Sequence, residues 1–196
     1  MKDEDWLPWY MGGAGNFNDA WKDTPFTPIN RPMYYFGLIL LGFPVEKSIK
    51  HFFIEERTPD FAEMSLHHIA HFCLSLCNLL TNTMNYGSIV AFLHSFSDVP
   101  IAASKLLHLT GYAMPWSVIV FVIGNFVWFF QRIYCLPTAI WGCHLLQPTV
   151  EIEFFRRYLV MSNLFLSVLL FLHIYWQHIF LKMIYKAVFQ KKIVDM

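Results

Sequence analysis

His67, His68 and His71 stand close together in an otherwise apolar stretch, and His94 and Asp98 stand in the next one. Ionisable groups at membrane depth are costly, so they face a cavity or one another and mark a working site by default. His67 and His71 are four residues apart and share a helical face, as do His94 and Asp98. A neutral imidazole acts as a base or nucleophile, and a carboxylate beside it orients the ring and stabilises its cation. The same donors offer a second chemistry, a metal site, since H-x-x-x-H with His94 and Asp98 supplies enough ligands. Membrane metal oxidases carry more histidine boxes than this chain, so no metal is expected. A third reading is structural: histidines that satisfy one another and the backbone and hold two helices in register.

The elements decide whether these groups can meet. Along one straight helix, His67 and His94 would lie about 40 Å apart. The segment Thr81-Asn82-Thr83-Met84-Asn85 is polar and is followed by Gly87, which predicts a tight reversal near Asn82. Two antiparallel helices would then carry His68 and His94 to similar depth. Five spans are predicted. The first covers Met33–Ile54 with a kink at Pro44, and the loop Glu55–Asp60 with Thr58-Pro59 stops it. The second and third cover Phe61–Leu80 and Tyr86–Leu107. The fourth covers Trp116–Tyr134 and is closed by Pro137. Residues 138–150 are too short to cross and are bracketed by Pro137 and Pro148, so they are expected to lie in the interface or re-enter. The fifth, Tyr158–Val188, is long for one crossing and should tilt or project.

Composition supports a membrane setting. Of the 196 residues, 56% are hydrophobic and 14% charged, against about 25% charged in soluble domains. Fourteen basic residues balance fourteen acidic ones, so there is no nucleic-acid footprint. Residues 1–32 are rich in Pro, Gly, Trp and Tyr and read as an ordered segment on the membrane surface. The start, MKDEDWLPWY, has neither the basic nor the apolar region of a secretory signal. Residues 33–190 form the transmembrane domain, and 191–196, with Lys191 and Lys192, a short basic tail. Lys and Arg lean slightly toward the face holding the 55–60 loop and the C-terminus. Cys73, Cys77, Cys135 and Cys143 read as apolar packing residues. His51, His108, His144, His173 and His178 read as structural.

The stretch from Asp60 to Lys105 resembles the ceramide synthase branch of the TLC-domain family. Asp60-Phe61, Glu63-Met64, His67-His68, Asn82, Gly87, His94, Asp98 and Lys105 carry the likeness. It continues through Trp128, Arg132 and Pro137, through Leu172–Trp176, and upstream at Trp21, Pro25 and Tyr34-Tyr35. The resemblance implies an all-α integral membrane protein, a TLC-like partial barrel of about five transmembrane helices. It implies transfer of a fatty-acyl group from acyl-CoA to a sphingoid-base amine. His67, His68, His94 and Asp98 then hold the catalytic positions. His71, Asn82, Trp128 and Arg132 are expected to contact lipid. No cofactor is expected, with acyl-CoA a co-substrate only if the chain is an enzyme.

Departures from the family pattern shift the expectation. The family's H-D-x-x-D is His94-Ser95-Phe96-Ser97-Asp98, so Ser95 replaces an Asp. A Ser-Tyr pair is Asn78-Leu79, an Arg is Asn85, a Thr is His71 and an acidic residue is Ala102. Losing a positioned charge or base costs about 10²–10⁴-fold in rate. The resemblance implies spans ahead of the Tyr-Tyr helix, and with five spans alone the barrel is expected to be open on one side. The expected function is therefore a non-catalytic TLC-like protein, a structural or lipid-binding subunit of a larger membrane complex. The alternative is an acyl-CoA-dependent sphingoid-base N-acyltransferase. Expected partners are membrane lipids and other membrane subunits. The expected location is the endoplasmic reticulum by resemblance, or the mitochondrial inner membrane for a complex subunit.

Overall fold

A computed structural model of the protein describes residues 15, 20, 21, 24–26, 28, 31–110, 114–146 and 151–189. Helices account for most of them, and no strand forms among them. Helix α1 covers Arg31–Phe53, α2 Phe61–Leu80 and α3 Met84–Leu109. Then come α4 (Met114–Trp128), a π-helical segment (Phe129–Cys135), α5 (Leu136–Leu146) and α6 (Glu153–Phe189). The chain falls into two compact units. One takes in Met1–Ala91 with Ala139–Leu169, the other Phe92–Thr138 with Leu170–Met196.

In the first unit the decisive feature is the break between α2 and α3. The Thr81 amide and hydroxyl both donate to Cys77 O, at 3.0 and 2.7 Å. Asn82 takes a φ of 58°, the left-handed region that Asn tolerates better than most residues. The Thr83 amide then donates to Asn78 O at 3.0 Å, the six-to-one bond of a Schellman helix end. Side chains close the turn from inside. Asn78 Oδ1 accepts from Thr83 Oγ1 and from the Tyr158 hydroxyl, both at 2.8 Å, and the two hydroxyls lie 2.7 Å apart. From outside, Asn82 Nδ2 donates to Pro25 O at 2.7 Å. Trp21 is buried with its ring centroid 4.2 Å from that of Tyr86. Gly87 completes the reversal: a Cβ there would sit 2.8 Å from Asn78 Cγ and Nδ2.

The other boundaries follow local rules. Pro32 falls in the first turn of α1, where its missing N–H costs nothing. Pro44 is accommodated within α1. At the start of α2 the Phe61 amide donates to Thr58 O at 3.1 Å, and Glu63 sits in the first, electropositive turn. Glu153 opens α6 and pairs with Arg156 and Arg157 one turn on.

In the second unit α4 crosses α3 closely. A Cβ on Gly124 would meet Ile101 N and Pro100 C at 3.3 Å, the close approach small residues allow between membrane helices. Ser104 Oγ donates to Ser117 O at 3.2 Å across the same contact.

One expectation is corrected. Pro137 does not end the fourth span, and residues 138–146 are not a separate interfacial or re-entrant piece. The helix runs on from Trp116 to His144, through a π turn. The Leu136 amide donates to Gln131 O, five residues back, so the ladder is already shifted where proline would break it. Thr138 Oγ1 donates to Cys135 O at 2.6 Å and occupies a carbonyl beside the proline. By length and apolarity, Trp116–His144 and Glu153–Ala187 qualify as spans among the described residues. The histidines and Asn78 dilute α2, and His94, Asp98, Lys105 and His108 dilute α3. The surface segment read over 1–32 lies outside the described residues apart from 15, 20, 21, 24–26, 28, 31 and 32, and the basic tail 191–196 lies wholly outside them.

The Gly87–Asn78 contact makes a prediction. Gly87→Ala should displace the Asn78 amide from Thr83 and Tyr158 and cost about 1–3 kcal/mol. Asn78→Ser in the same chain should recover part of that loss. Thermal unfolding of the parent, the two single variants and the double variant in one detergent checks it, and additive losses would contradict it.

Candidate functional site

The first cluster sits where α1 and α2 pack together, about 10 Å along α2 from its start. His68 is buried and His67 half-buried. Their ring centroids are 5.6 Å apart, and His67 and His71 are 6.0 Å apart on the shared face. His51, from α1, is only 4% exposed and brings its ring to 4.9 Å from His68. It stacks on Phe61 at 4.5 Å and 22°. Its Nε2 lies 3.0 Å from Ser65 Oγ, and its Nδ1 lies 3.7 Å from Glu55 Oε2. His68 Nδ1 is buried and has no hydrogen-bond partner among the described residues. Such an atom calls for an explanation, and a role toward a reactant is one.

The second cluster gathers around Arg132, which the π turn carries into the interior at 2% exposure. Its Nε donates to Ser97 Oγ at 2.8 Å. Its Nη2 donates to His94 O and to Asp98 Oδ1, both at 2.5 Å. Its Nη1 lies 3.2 Å from His173 Nε2, which in turn lies 3.1 Å from His94 Nε2. The guanidinium carbon stands 4.2 Å over the Trp128 ring. A buried charge needs its donors engaged, and here a carboxylate, a hydroxyl, a carbonyl and an imidazole take four of the five guanidinium N–H groups.

The structure thus places the predicted residues in two sets. His67, His68 and His71 lie in the first unit, where His51 joins them. His94 and Asp98 lie in the second, where Arg132, Ser97 and His173 join them. Ser95 is exposed on α3, while His94 and Ser97 on either side are buried. Of the residues expected to contact lipid, Asn82 forms the turn, Trp128 and Arg132 are buried against each other, and His71 is half-buried beside His67. Among the described residues, no group of three or more His, Cys, Asp or Glu is placed to share a metal ion. Sequence reasoning took His51 and His173 as merely structural and passed over Ser97 and Tyr158. The available signal was a histidine inside the apolar run Leu172–Trp176, on the helix that must face a lone arginine.

Replacing Arg132 tests the second cluster. Arg132→Met leaves Asp98, Ser97 and the His94 carbonyl without their donor and should cost about 3 kcal/mol, or about 6–12 °C in melting temperature. Arg132→Lys should recover less than half, because an ammonium cannot reproduce the fork. A melting temperature unchanged in Arg132→Met would show that the network does not hold the unit together.

Comparison with known proteins places these residues in a family. The TLC domain matches residues 1–182. Mouse ceramide synthase 3 is 26% identical over 188 residues, which cover 96% of this chain and 47% of the relative. Human ceramide synthase 4 is 29% identical over 173 residues, covering 88% and 43%. The ceramide synthase hyl-2 of Caenorhabditis elegans is 26% identical over 192 residues, covering 92% and 57%. The chain spans about half the length of the curated relatives it matches. No solved structure matches it. With the family's domain matched over nearly its whole length, and with two helices apolar and long enough to cross a bilayer, the chain belongs to the TLC-domain family of membrane proteins.

Proposed function

We propose that this chain is an acyl-CoA-dependent N-acyltransferase of the ceramide synthase class, acting on a long-chain amine such as a sphingoid base. The reading reverses the preference drawn from the residue changes alone. Support comes from relatives whose names are ceramide synthases along almost the whole chain. The single structural observation behind it is the buried His68 with Nδ1 uncommitted, flanked by His67 and His51.

The chemistry asked of the site is simple. The amine nitrogen bonds to the thioester carbonyl carbon, the C–S bond breaks, and the amine proton passes to a base and on to the leaving thiolate. A neutral imidazole in apolar surroundings is suited to that relay. His68 takes this role, and His67 is its neighbour on the same helix. Asp98 accepts a hydrogen bond from Arg132, and the His94 and His173 rings meet beside the same guanidinium. In this reading α1, α2, α3, the helix from Met114 to Leu146, and α6 are five crossings of a TLC-like partial barrel. The endoplasmic reticulum is the membrane such chemistry suggests.

A second reading keeps the chain as a non-catalytic, lipid-binding member of a membrane complex. The observation that favours it is Ser95, a hydroxyl where the family resemblance expects a carboxylate.

Purified protein given sphinganine and a series of long-chain acyl-CoAs should form the amide and release free thiol. His68→Ala should lower kcat by about 10²–10⁴-fold. Ser95→Asp should raise it. Absence of amide from the unmutated protein, with no gain in Ser95→Asp, would leave the non-catalytic reading standing.

A further inference from the structure

The mechanism just outlined uses the His67–His68 pair and leaves His51 without a task. We propose that His51 is a positioning residue that fixes the ring of His68. The proposal rests on the acyltransferase reading for its kinetic consequence, but not for its geometry.

His51 is held from several sides. Ser65 Oγ donates its hydrogen to Phe61 O at 2.6 Å, so towards His51 it can only accept. The 3.0 Å contact is therefore assigned as His51 Nε2–H donating to Ser65. That choice fixes which ring nitrogen carries the hydrogen and stops the ring from flipping. Phe61 covers one face of the ring at 4.5 Å, and Phe52 meets it edge-on at 5.2 Å. A ring held in this way, 4% exposed, is a rigid surface.

His68 leans on that surface at 4.9 Å between centroids and 51° between planes. Its own Nδ1 has no hydrogen bond to set the ring's rotation. A reacting imidazole without such a bond needs another constraint, because its angle decides whether its lone pair meets the proton it must take. His67, the nearer neighbour in sequence, is only half-buried and meets His68 edge-on at 5.6 Å. The orienting contact therefore comes from α1, across the helix interface, and not from the histidine next door.

Three variants in the full chain test this: His51→Ala, His51→Phe and Ser65→Ala. His51→Ala should lower kcat about 10–100-fold with KM moved less than about twofold. His51→Phe restores a flat wall and should return most of the lost kcat. Ser65→Ala should fall between them. A second readout needs no activity. Carbethoxylation of His68 by diethyl pyrocarbonate, followed by mass spectrometry, should quicken several-fold in His51→Ala and stay near the unmutated rate in His51→Phe. Melting temperatures separate misfolding from misplacement. An unchanged kcat and an unchanged His68 modification rate in a folded His51→Ala would overturn the proposal. If the unmutated protein transfers no acyl group, the acyltransferase reading fails, and the modification rates still decide whether His51 holds His68.

Discussion

The turn at residues 81–83 is the constraint on which the rest depends. It reverses the chain inside an apolar sequence, where every backbone and side-chain polar group left without a bond costs free energy. The molecule meets that cost with one small network. Asn78 accepts from the Thr83 amide through its backbone carbonyl and from two hydroxyls through its side chain. One of those hydroxyls belongs to Tyr158, far along the chain, so the start of α6 is tied to the same point. Asn78 also sits against Gly87, so the residue that caps the end of α2 sets how closely α3 can begin. Asn78 looked at first like a lost serine of the family pattern. Its carbonyl and amide are better explained as the group that closes the turn.

Arg132 plays a comparable part in the second unit. A guanidinium taken out of water is tolerated only where its fork of donors is matched. Matching it draws on the adjacent Ser97 and Asp98 and the His94 carbonyl, all on α3, and on His173 from α6. The π turn is what carries the arginine there. It adds a residue to one turn of helix, and the same added residue absorbs the proline that follows at 137. Placement of the charge and passage through the proline are thus two results of one backbone adjustment, which fits the frequency of π turns at functional sites.

Much of this was legible from residue types. The helix ends at Thr58-Pro59 and at Asn82 with Gly87 follow from rules that act within a few residues, and α2 runs from Phe61 to Leu80 as its apolar run predicts. Pro137 misled because the proline rule assumes an α-helical ladder, and nothing local in Phe129–Cys135 announces a wider turn. The His67–His68 pair stood out because adjacent imidazoles in an apolar run are costly. His51 did not, because its meaning lies in Phe61, Ser65 and His68, which reach it only once two helices are packed. Arg132 was visible as a lone charge, but its set of acceptors spans α3 and α6 and has no period to read.

The same local accounting bears on how the departures from the family pattern should be weighed. Counted by residue type, they look like chemistry stripped from a site. Taken in place, they differ among themselves. Asn78 is spent on the turn, and His71 adds an imidazole beside His67 instead of removing a polar group. Ser95 lies on the exposed side of α3, whereas the carboxylate that remains, Asp98, is bound to a guanidinium at 2.5 Å. Burying an unmatched cation costs several kcal/mol. Arg132 is met by Ser97, the His94 carbonyl, Asp98 and His173, and the His68 ring packs 4.9 Å from that of His51. Seen in place, the changes at Asn78 and His71 are accounted for by local bonding and packing and do not count as chemistry removed from the site.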